Sequence, residues 1–312
     1  MRRRNKQLSL VLVLAFAAFF IPAHVAAATV PRGISLSPFE QNITFSPGEA
    51  VQSFNLTLTN DTPTVQELDL SVHDFGSLND TGGIVIEGSN SYTEHYGLAS
   101  WISLGTDTVI LAPHQSRLIP VTVENRQDLA PGGHYGAVVA TVNNLDTNPG
   151  NKVVLNQQLV SLILVDKQGG EHYDMRLDSI ATNGNWFRLP TTVQLRFQDS
   201  GNVQVVPRGI VQLLGPTGGV ISQGTINSDS DFVLPETYRE IYVPLTVINR
   251  ADPWPGVYRI RVLYRYDGIN VTASRTESVR YLSLGTFIIL LILFVIVWRI
   301  VRSRRAHGRQ GG

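Results

Sequence analysis

The stretch Tyr258-Arg-Ile-Arg-Val-Leu-Tyr-Arg-Tyr266 decides the fold of this chain. Successive side chains of a β-strand point to opposite faces. Every second residue from Tyr258 to Tyr266 is therefore an apolar or aromatic residue on one face, while Arg259, Arg261 and Arg265 share the other. A register shift of one residue would bury these arginines, so the face that turns to the core is strongly fixed. The stretch predicts a strand whose apolar face covers a hydrophobic core.

Similar alternation recurs in short runs from Val30 to about Tyr281, without a convincing amphipathic helix. Val51–Asn60 alternates apolar and polar residues, and the turn sequence Ser46-Pro47-Gly48-Glu49 precedes it. Short alternating runs bounded by Pro, Gly, Asn and Asp are typical of β-sandwiches. The sequence predicts an all-β protein with two immunoglobulin-like β-sandwich domains in tandem plus one C-terminal transmembrane helix.

The boundary between the two sandwiches follows from the pairing of two long runs. Val153–Val165 is rich in β-branched residues, and we expect it to pair back on Tyr135–Val142 across a polar hairpin loop. The turn Lys167-Gln168-Gly169-Gly170 then becomes the linker. We predict a distal sandwich over residues 29–168 and a second sandwich over residues 169–280.

The N-terminus has the order of features of a secretory signal peptide. Three arginines and Lys6 give a positive start, Leu8–Ile21 is almost purely apolar, and Val25–Ala28 supplies small residues. We predict a signal peptide at residues 1–28, cleaved between Ala26 and Thr29. The alternative is an uncleaved N-terminal anchor.

The C-terminus predicts a membrane anchor. Leu282–Trp298 carries no charge, and a tail rich in arginine and free of acidic residues follows it. Cytoplasmic segments next to a membrane span are enriched in Lys and Arg. We therefore predict a transmembrane helix at residues 281–301, membrane contact through Leu282 to Val301, and a basic cytoplasmic tail at residues 302–312. The chain would then be a single-pass cell-membrane protein with an extracellular ectodomain.

Composition excludes several classes of function. The formal net charge is zero, so nothing indicates nucleic acid as a partner. The chain has no cysteine, which removes disulfides, thiolate metal sites and cysteine nucleophiles. No HExxH, GxSxG or glycine-rich phosphate loop is present. We predict no enzymatic activity, no catalytic residues, no cofactor and no metal.

Three motifs carry a resemblance to a known family: Ile34-Ser35-Leu36-Ser37-Pro38 with its following turn, Leu98-Ala99-Ser100-Trp101-Ile102, and Pro131-Gly132-Gly133-His134-Tyr135-Gly136-Ala137-Val138. With the order of the parts, they resemble the WxL-interacting proteins of Gram-positive cell surfaces. The resemblance implies a bacterial protein whose distal immunoglobulin-like domain is linked to peptidoglycan binding. It implies peptidoglycan or another cell-surface protein as the partner.

Five aromatic or histidine side chains are candidates for binding. His134 and Tyr135 follow a glycine turn and could hydrogen-bond to or stack on a sugar or peptide, and Trp101 could form part of a sugar platform. For each of these the alternative is a core role, with the Tyr135 hydroxyl tying down a loop. The long polar loop from Gly76 to Tyr96 adds Tyr92 and Tyr96, and such loops are often functional or else disordered.

Three functions are compatible with this pattern. The first is a non-enzymatic membrane-anchored surface protein that binds peptidoglycan or another surface protein through its distal domain. The second is a chaperone or assembly factor for exported proteins, which adds a client strand to an open sheet edge at the opening strand or at Val153–Val165. The third is a cell-wall hydrolase, for which no site is apparent.

Overall fold

The computed structural model describes residues 33–87, 95–143, 157–249, 254–269 and 272–307. The predicted signal peptide, residues 1–28, lies outside the described residues. The described chain is mostly β-sheet and forms two β-sandwich units, followed by a helix.

The first unit runs to the end of the tenth strand. Its strands are Ile34–Ser37 (β1), Glu40–Phe45 (β2), Val51–Asn60 (β3), Gln66–Ser77 (β4), Ile84–Glu87 (β5), Ile102–Leu104 (β6), Thr108–Leu111 (β7), Ser116–Glu124 (β8), Gly132–Asn143 (β9) and Gln158–Lys167 (β10). One sheet has the order β1-β3-β8-β6. The other has the order β2-β10-β9-β4-β5, and β7 also pairs with β4.

The second unit follows after a short connection. Its strands are Met175–Thr182 (β11), Thr192–Asp199 (β12), Arg208–Leu214 (β13), Val220–Ile226 (β14), Tyr238–Pro244 (β15), Thr246–Val247 (β16), Gly256–Arg265 (β17) and Ala273–Tyr281 (β18). The sheets have the orders β11-β12-β15 and β16-β14-β13-β17-β18.

The predicted strand around Tyr258 is confirmed as β17, with its apolar face inward. Tyr258, Ile260 and Val262 are almost fully buried, whereas Arg259 and Arg265 are exposed. The buried face belongs to the core between the two sheets of the second unit. A separate core fills the first unit between its own two sheets.

The predicted pairing is confirmed for the part of the run that the structure describes, whereas the hairpin loop and Val153–Asn156 lie outside the described residues. β10 pairs antiparallel with β9 over its whole length, from Gln158 opposite Thr141 to Lys167 opposite Gly132. β9 is buried on both faces along most of its length. The outer face of this sheet is therefore covered, and the second unit provides part of that cover.

The chain crosses from one sheet of the first unit to the other near Pro38. β1 pairs antiparallel with β3, whereas β2 pairs parallel with β10, beginning with Glu40 opposite Leu162. β2 therefore covers the outer edge of β10 only from Leu162 onward.

A third apolar cluster joins the two units. Residues of β4, β9 and β10 on the outer face of the first unit pack against the loop before β15 of the second unit. The buried members are Phe75, Tyr96, Tyr135, Ala137, Leu162, Leu164 and Leu234. Burial of apolar surface at this joint holds the two units against each other.

The C-terminal helix, Leu284–His307 (α1), corrects the prediction of a membrane anchor. Its uncharged part, from Leu284 to Trp298, extends about 22 Å, against about 30 Å for the hydrocarbon core of a bilayer. Within the described ranges, no helix combines the length and the apolar character that crossing a membrane requires. The predicted transmembrane helix at residues 281–301 is therefore wrong, as is the predicted single-pass cell-membrane location with an extracellular ectodomain and a cytoplasmic tail.

Candidate functional site

The free edge of β10 is the most distinctive binding feature of the first unit. β2 pairs with β10 from Leu162 to Lys167, which leaves Gln158–Ser161 without a partner strand on that side among the described residues. Gln158–Ser161 is named the open edge below. An unpaired strand edge exposes main-chain donors and acceptors that can pair with another chain.

The hydrogen-bond pattern between β9 and β10 shows which main-chain groups point outward at the open edge. Val142 N–H donates to the carbonyl of Gln157, so odd-numbered residues of β10 direct their main-chain groups to β9. Even-numbered residues direct theirs to the other side, as Leu162 N–H does when it donates to the Phe39 carbonyl at 2.8 Å. Gln158 and Val160 therefore direct their N–H and C=O groups to the uncovered side.

Apolar side chains flank the open edge on both faces of the sheet. Leu159 is half-buried against the core of the first unit, and Val160 is half-buried against the cluster between the units. Phe39, which is 66% exposed, stands where β2 begins. Ser161 is buried, and its hydroxyl donates to the Pro38 carbonyl at 2.7 Å, which fixes the end of the open edge. A strand added here would gain main-chain hydrogen bonds and apolar contacts together.

Trp101 and His134 lie together in the interior of the first unit. Their rings are 4.5 Å apart, and their exposures are 1% and 2%. The His134 Nε2 atom lies 3.1 Å from the Ala130 carbonyl, and burial lowers the pKa of this histidine. Lys167 lies over the Trp101 ring, and its ammonium donates to the carbonyls of Arg126 and Leu129. These contacts join the end of β10 to the loop before β9.

Tyr135 connects the two units. Its ring is fully buried in the cluster between the units. Its hydroxyl donates to Gln204 Oε1 at 2.8 Å and accepts from the Gln204 N–H at 2.9 Å. The expected role of this hydroxyl in tying down a loop is thus seen, with the loop supplied by the other unit.

Tyr96 makes a second connection of this kind. Its hydroxyl donates to Glu236 Oε1 at 3.1 Å, and burial together with Glu236 raises the pKa of Tyr96 to about 12. Tyr92 lies outside the described residues. Tyr135 and Tyr96 therefore lie at the joint between the units, whereas Trp101 and His134 lie in the interior of the first unit.

A cleft of about 310 Å³ opens beside this joint. Its lining is mainly apolar and includes Tyr96, Pro131, His134 and Asn202. In the part of the chain that the structure describes, no group of His, Asp and Glu residues could hold a metal ion. The adjacent pair His73 and Asp74 has structural contacts, since Asp74 accepts the N–H groups of Leu98 and Ala99.

Two further residues, Asn202 and Gln204, join the units. Both lie in the segment between β12 and β13, where turn residues are followed by valines and the composition gives no sign of a contact with the other unit. Asn202 accepts the Gly133 N–H through its carbonyl at 2.7 Å, and its side chain donates to the Pro131 carbonyl at 3.3 Å. Gly133 and Pro131 belong to the motif that was singled out, and their role is to receive this loop.

Of the comparisons with known proteins, only the one with solved structures found matches. No family model matches the chain, and no curated protein matches it. A chaperone–tip adhesin complex of CFA/I fimbriae biogenesis is 10% identical, with 79% of this chain and 98% of that chain aligned and a TM-score of 0.43. The class 5 fimbriae chaperone CfaA gives the same identity and coverage with a TM-score of 0.42. The CsuC–CsuE chaperone–tip adhesion subunit pre-assembly complex of Acinetobacter baumannii is 8% identical over 80% of this chain and 99% of that chain, with a TM-score of 0.39.

The predicted membership of the WxL-interacting family is wrong. No family model supports it, and the three similar structures named above are fimbrial chaperones or their complexes. The motifs that carried the resemblance are strand and turn patterns that β-sandwiches share: Ile34–Pro38 is β1 with the crossing that follows, and Pro131–Val138 is the start of β9. The predicted partners are wrong on the same findings. They were peptidoglycan, another cell-surface protein, and the membrane through Leu282 to Val301.

Proposed function

We propose that this chain is a non-enzymatic chaperone or assembly factor for exported proteins, and that it binds its clients by β-strand addition at the open edge. The observation that carries the proposal is the direction of the main-chain groups of Gln158 and Val160. Both residues turn their N–H and C=O groups to the side that β2 leaves uncovered. An extended client segment can complete this ladder.

The chemistry of the open edge suits a chaperone. Main-chain hydrogen bonds are largely independent of the client's sequence, so one edge can serve several clients. The flanking Leu159, Val160 and Phe39 offer apolar surface to a client's side chains. Such a site protects a strand that would otherwise be exposed before assembly, because unpaired edges are prone to aggregate.

The domain organisation belongs to the same proposal. We infer that both units are immunoglobulin-like, with the first over residues 29–168 and the second over residues 169–280, and that residues 1–28 direct export. The first unit carries the open edge, and the second packs on the outer face of the same sheet. The second unit therefore supports the strand on which the client pairs. A β-rich exported subunit is the client to test first.

The test replaces Val160 by proline in the full chain. Proline has no N–H, and it is tolerated at an edge where that group has no internal partner. A photo-crosslinking residue at Gln158 should trap an exported protein in the wild-type background, and Val160→Pro should reduce this product by about tenfold or more. Val160→Thr, which keeps the N–H, is the matched control and should retain the product.

Two results would contradict the proposal. If Val160→Pro unfolds at the wild-type temperature and still traps clients undiminished, addition at the open edge is excluded. If only wall polymer is trapped at Gln158, the chaperone function itself is excluded.

A further inference from the structure

The loop Asp199-Ser200-Gly201-Asn202 connects the second unit to the first, and it is named the joint loop below. Besides its contacts to Gly133 and Pro131, Asn202 donates through its side chain to the Gly170 carbonyl at 3.0 Å and accepts the His172 N–H at 2.6 Å. A Cβ atom at Gly132 would lie 2.7 Å from the Asn202 carbonyl oxygen. The joint loop and the turn before β9 are thus in close main-chain contact.

Asp199 anchors the joint loop from inside the protein. The residue is fully buried, and its Oδ1 atom accepts the Gly201 N–H at 2.8 Å. Its Oδ2 atom is buried and has no hydrogen-bond partner among the described residues. A buried carboxylate oxygen without a donor is costly when charged, and it is far less so when protonated.

The surroundings of Asp199 also disfavour a negative charge. Asp174, on the segment before β11, adds a like charge. Asp199 also raises the pKa of Tyr96, so this tyrosine of the first unit lies near the carboxyl group, and the Tyr96 hydroxyl donates to Glu236. Burial raises the pKa of Asp199 to about 7, against the opposing effect of the Gly201 N–H. The carboxyl group thus changes its charge near neutral pH.

We propose that Asp199 is a proton-operated latch on the joint between the two units. With the carboxyl group protonated, the joint loop stays packed and Asn202 holds the turn before β9. When the carboxyl group ionises, the buried charge favours conformations in which it reaches water, and the joint loop loosens. The joint is therefore tightest at acidic pH and more mobile at alkaline pH. This property concerns the joint and does not depend on strand addition at the open edge.

The test measures the distance between the units as a function of pH. The natural chain has no cysteine, so a spin-label pair can be placed at two introduced positions, Arg117→Cys in the first unit and Ser278→Cys in the second. Both positions are exposed. The distance distribution of the full chain should be narrow in mild acid and should broaden as the pH rises through about 7, the pKa of Asp199. In Asp199→Asn, which cannot ionise, it should stay narrow throughout.

Asp166→Asn is the matched control. Burial also raises the pKa of Asp166, but this carboxyl group lies on β10 and accepts its hydrogen bond from the Tyr173 hydroxyl. The pH-dependent broadening should persist in this variant. If it disappears in Asp166→Asn, or if it persists in Asp199→Asn, the latch is overturned.

A second variant keeps the test decisive if Asp199→Asn does not fold. Asp174→Asn removes the like charge from an exposed position, and it should shift the broadening to lower pH. An unchanged midpoint in this variant would contradict the proposal.

Discussion

The hydroxyl of Tyr135 in the first unit donates to Gln204 Oε1 at 2.8 Å and accepts from the Gln204 N–H at 2.9 Å, so one phenol satisfies two polar groups of the second unit. The same tyrosine lies on β9, the partner strand of β10. The strand that supports the open edge is thereby fixed to the neighbouring unit.

Removing this hydroxyl should therefore destabilise the whole chain. Tyr135→Phe leaves a main-chain N–H and a side-chain carbonyl at the joint without their partner, and we expect a loss of about 1–3 kcal/mol in the free energy of unfolding. Urea denaturation followed by fluorescence measures this loss. Tyr242→Phe, at a position that is 61% exposed, is the control and should change the unfolding free energy little.

Lys167 should stabilise the first unit through its hydrogen bonds. Lys167→Met keeps most of the apolar stem and removes the ammonium that donates to the carbonyls of Arg126 and Leu129. We expect a loss of about 1–3 kcal/mol in the free energy of unfolding. An equal loss for Arg117→Met, at an exposed site on β8, would show that charge removal in general is responsible.

The ion pair between Asp80 and Arg196 should contribute modestly to the joint. The two charges are 2.8 Å apart, but their side chains are 38% and 29% exposed, so solvent screens the interaction. A double-mutant cycle with Asp80→Asn and Arg196→Gln should give a coupling free energy of about 0.5–1 kcal/mol. A coupling free energy near zero would indicate that the apolar cluster, and not this ion pair, stabilises the joint.

Asp199 should make stability depend on pH. Burial raises its pKa from the ordinary value of 3.8 to about 7, so the folded state holds the proton more tightly than the unfolded state does. The contribution of Asp199 to stability is therefore fully present below about pH 4 and is lost as the pH rises through about 7, by at most about 4 kcal/mol. Asp199→Asn should unfold at a higher temperature than the wild type at pH 8, and the difference should vanish near pH 4.

Thermal unfolding at several pH values checks this expectation. Asp229→Asn, at an exposed carboxyl group, is the control and should leave the pH dependence of the wild type unchanged. If the unfolding temperatures of the wild type and of Asp199→Asn differ by the same amount at every pH from acid to neutral, Asp199 is not the source of the pH dependence.

Much of the strand content was visible in the sequence. The alternation in Tyr258–Tyr266 and in Val51–Asn60 identified β17 and β3, because a half-buried strand must place apolar residues at every second position. The run ending at Val165 was expected to pair with Tyr135–Val142, and β10 does so. Boundaries were less accurate: β17 begins at Gly256, two residues before Tyr258, and ends at Arg265.

The candidate site was predicted only in outline. The sequence named Val153–Val165 and the opening strand as possible edges, but it could not tell which edge is covered. The crossing of the chain between β1 and β2 decides this, because it ends the cover of β10 at Leu162. The sequence offers Trp101, His134 and Tyr135 as binding candidates. It cannot decide between binding and a core role, because aromatic side chains in cores and in binding sites look alike in sequence.

By itself, the sequence determined the class of the fold and the direction in which the side chains of its clearest strands face. These properties are local, since they depend on the period of the chain and on turn residues. Only the tertiary structure decided how Asn202 and Gln204 meet Gly133 and Tyr135, and which main-chain groups of β10 have no partner strand among the described residues. These relations join residues about 70 positions apart, and no local propensity encodes them.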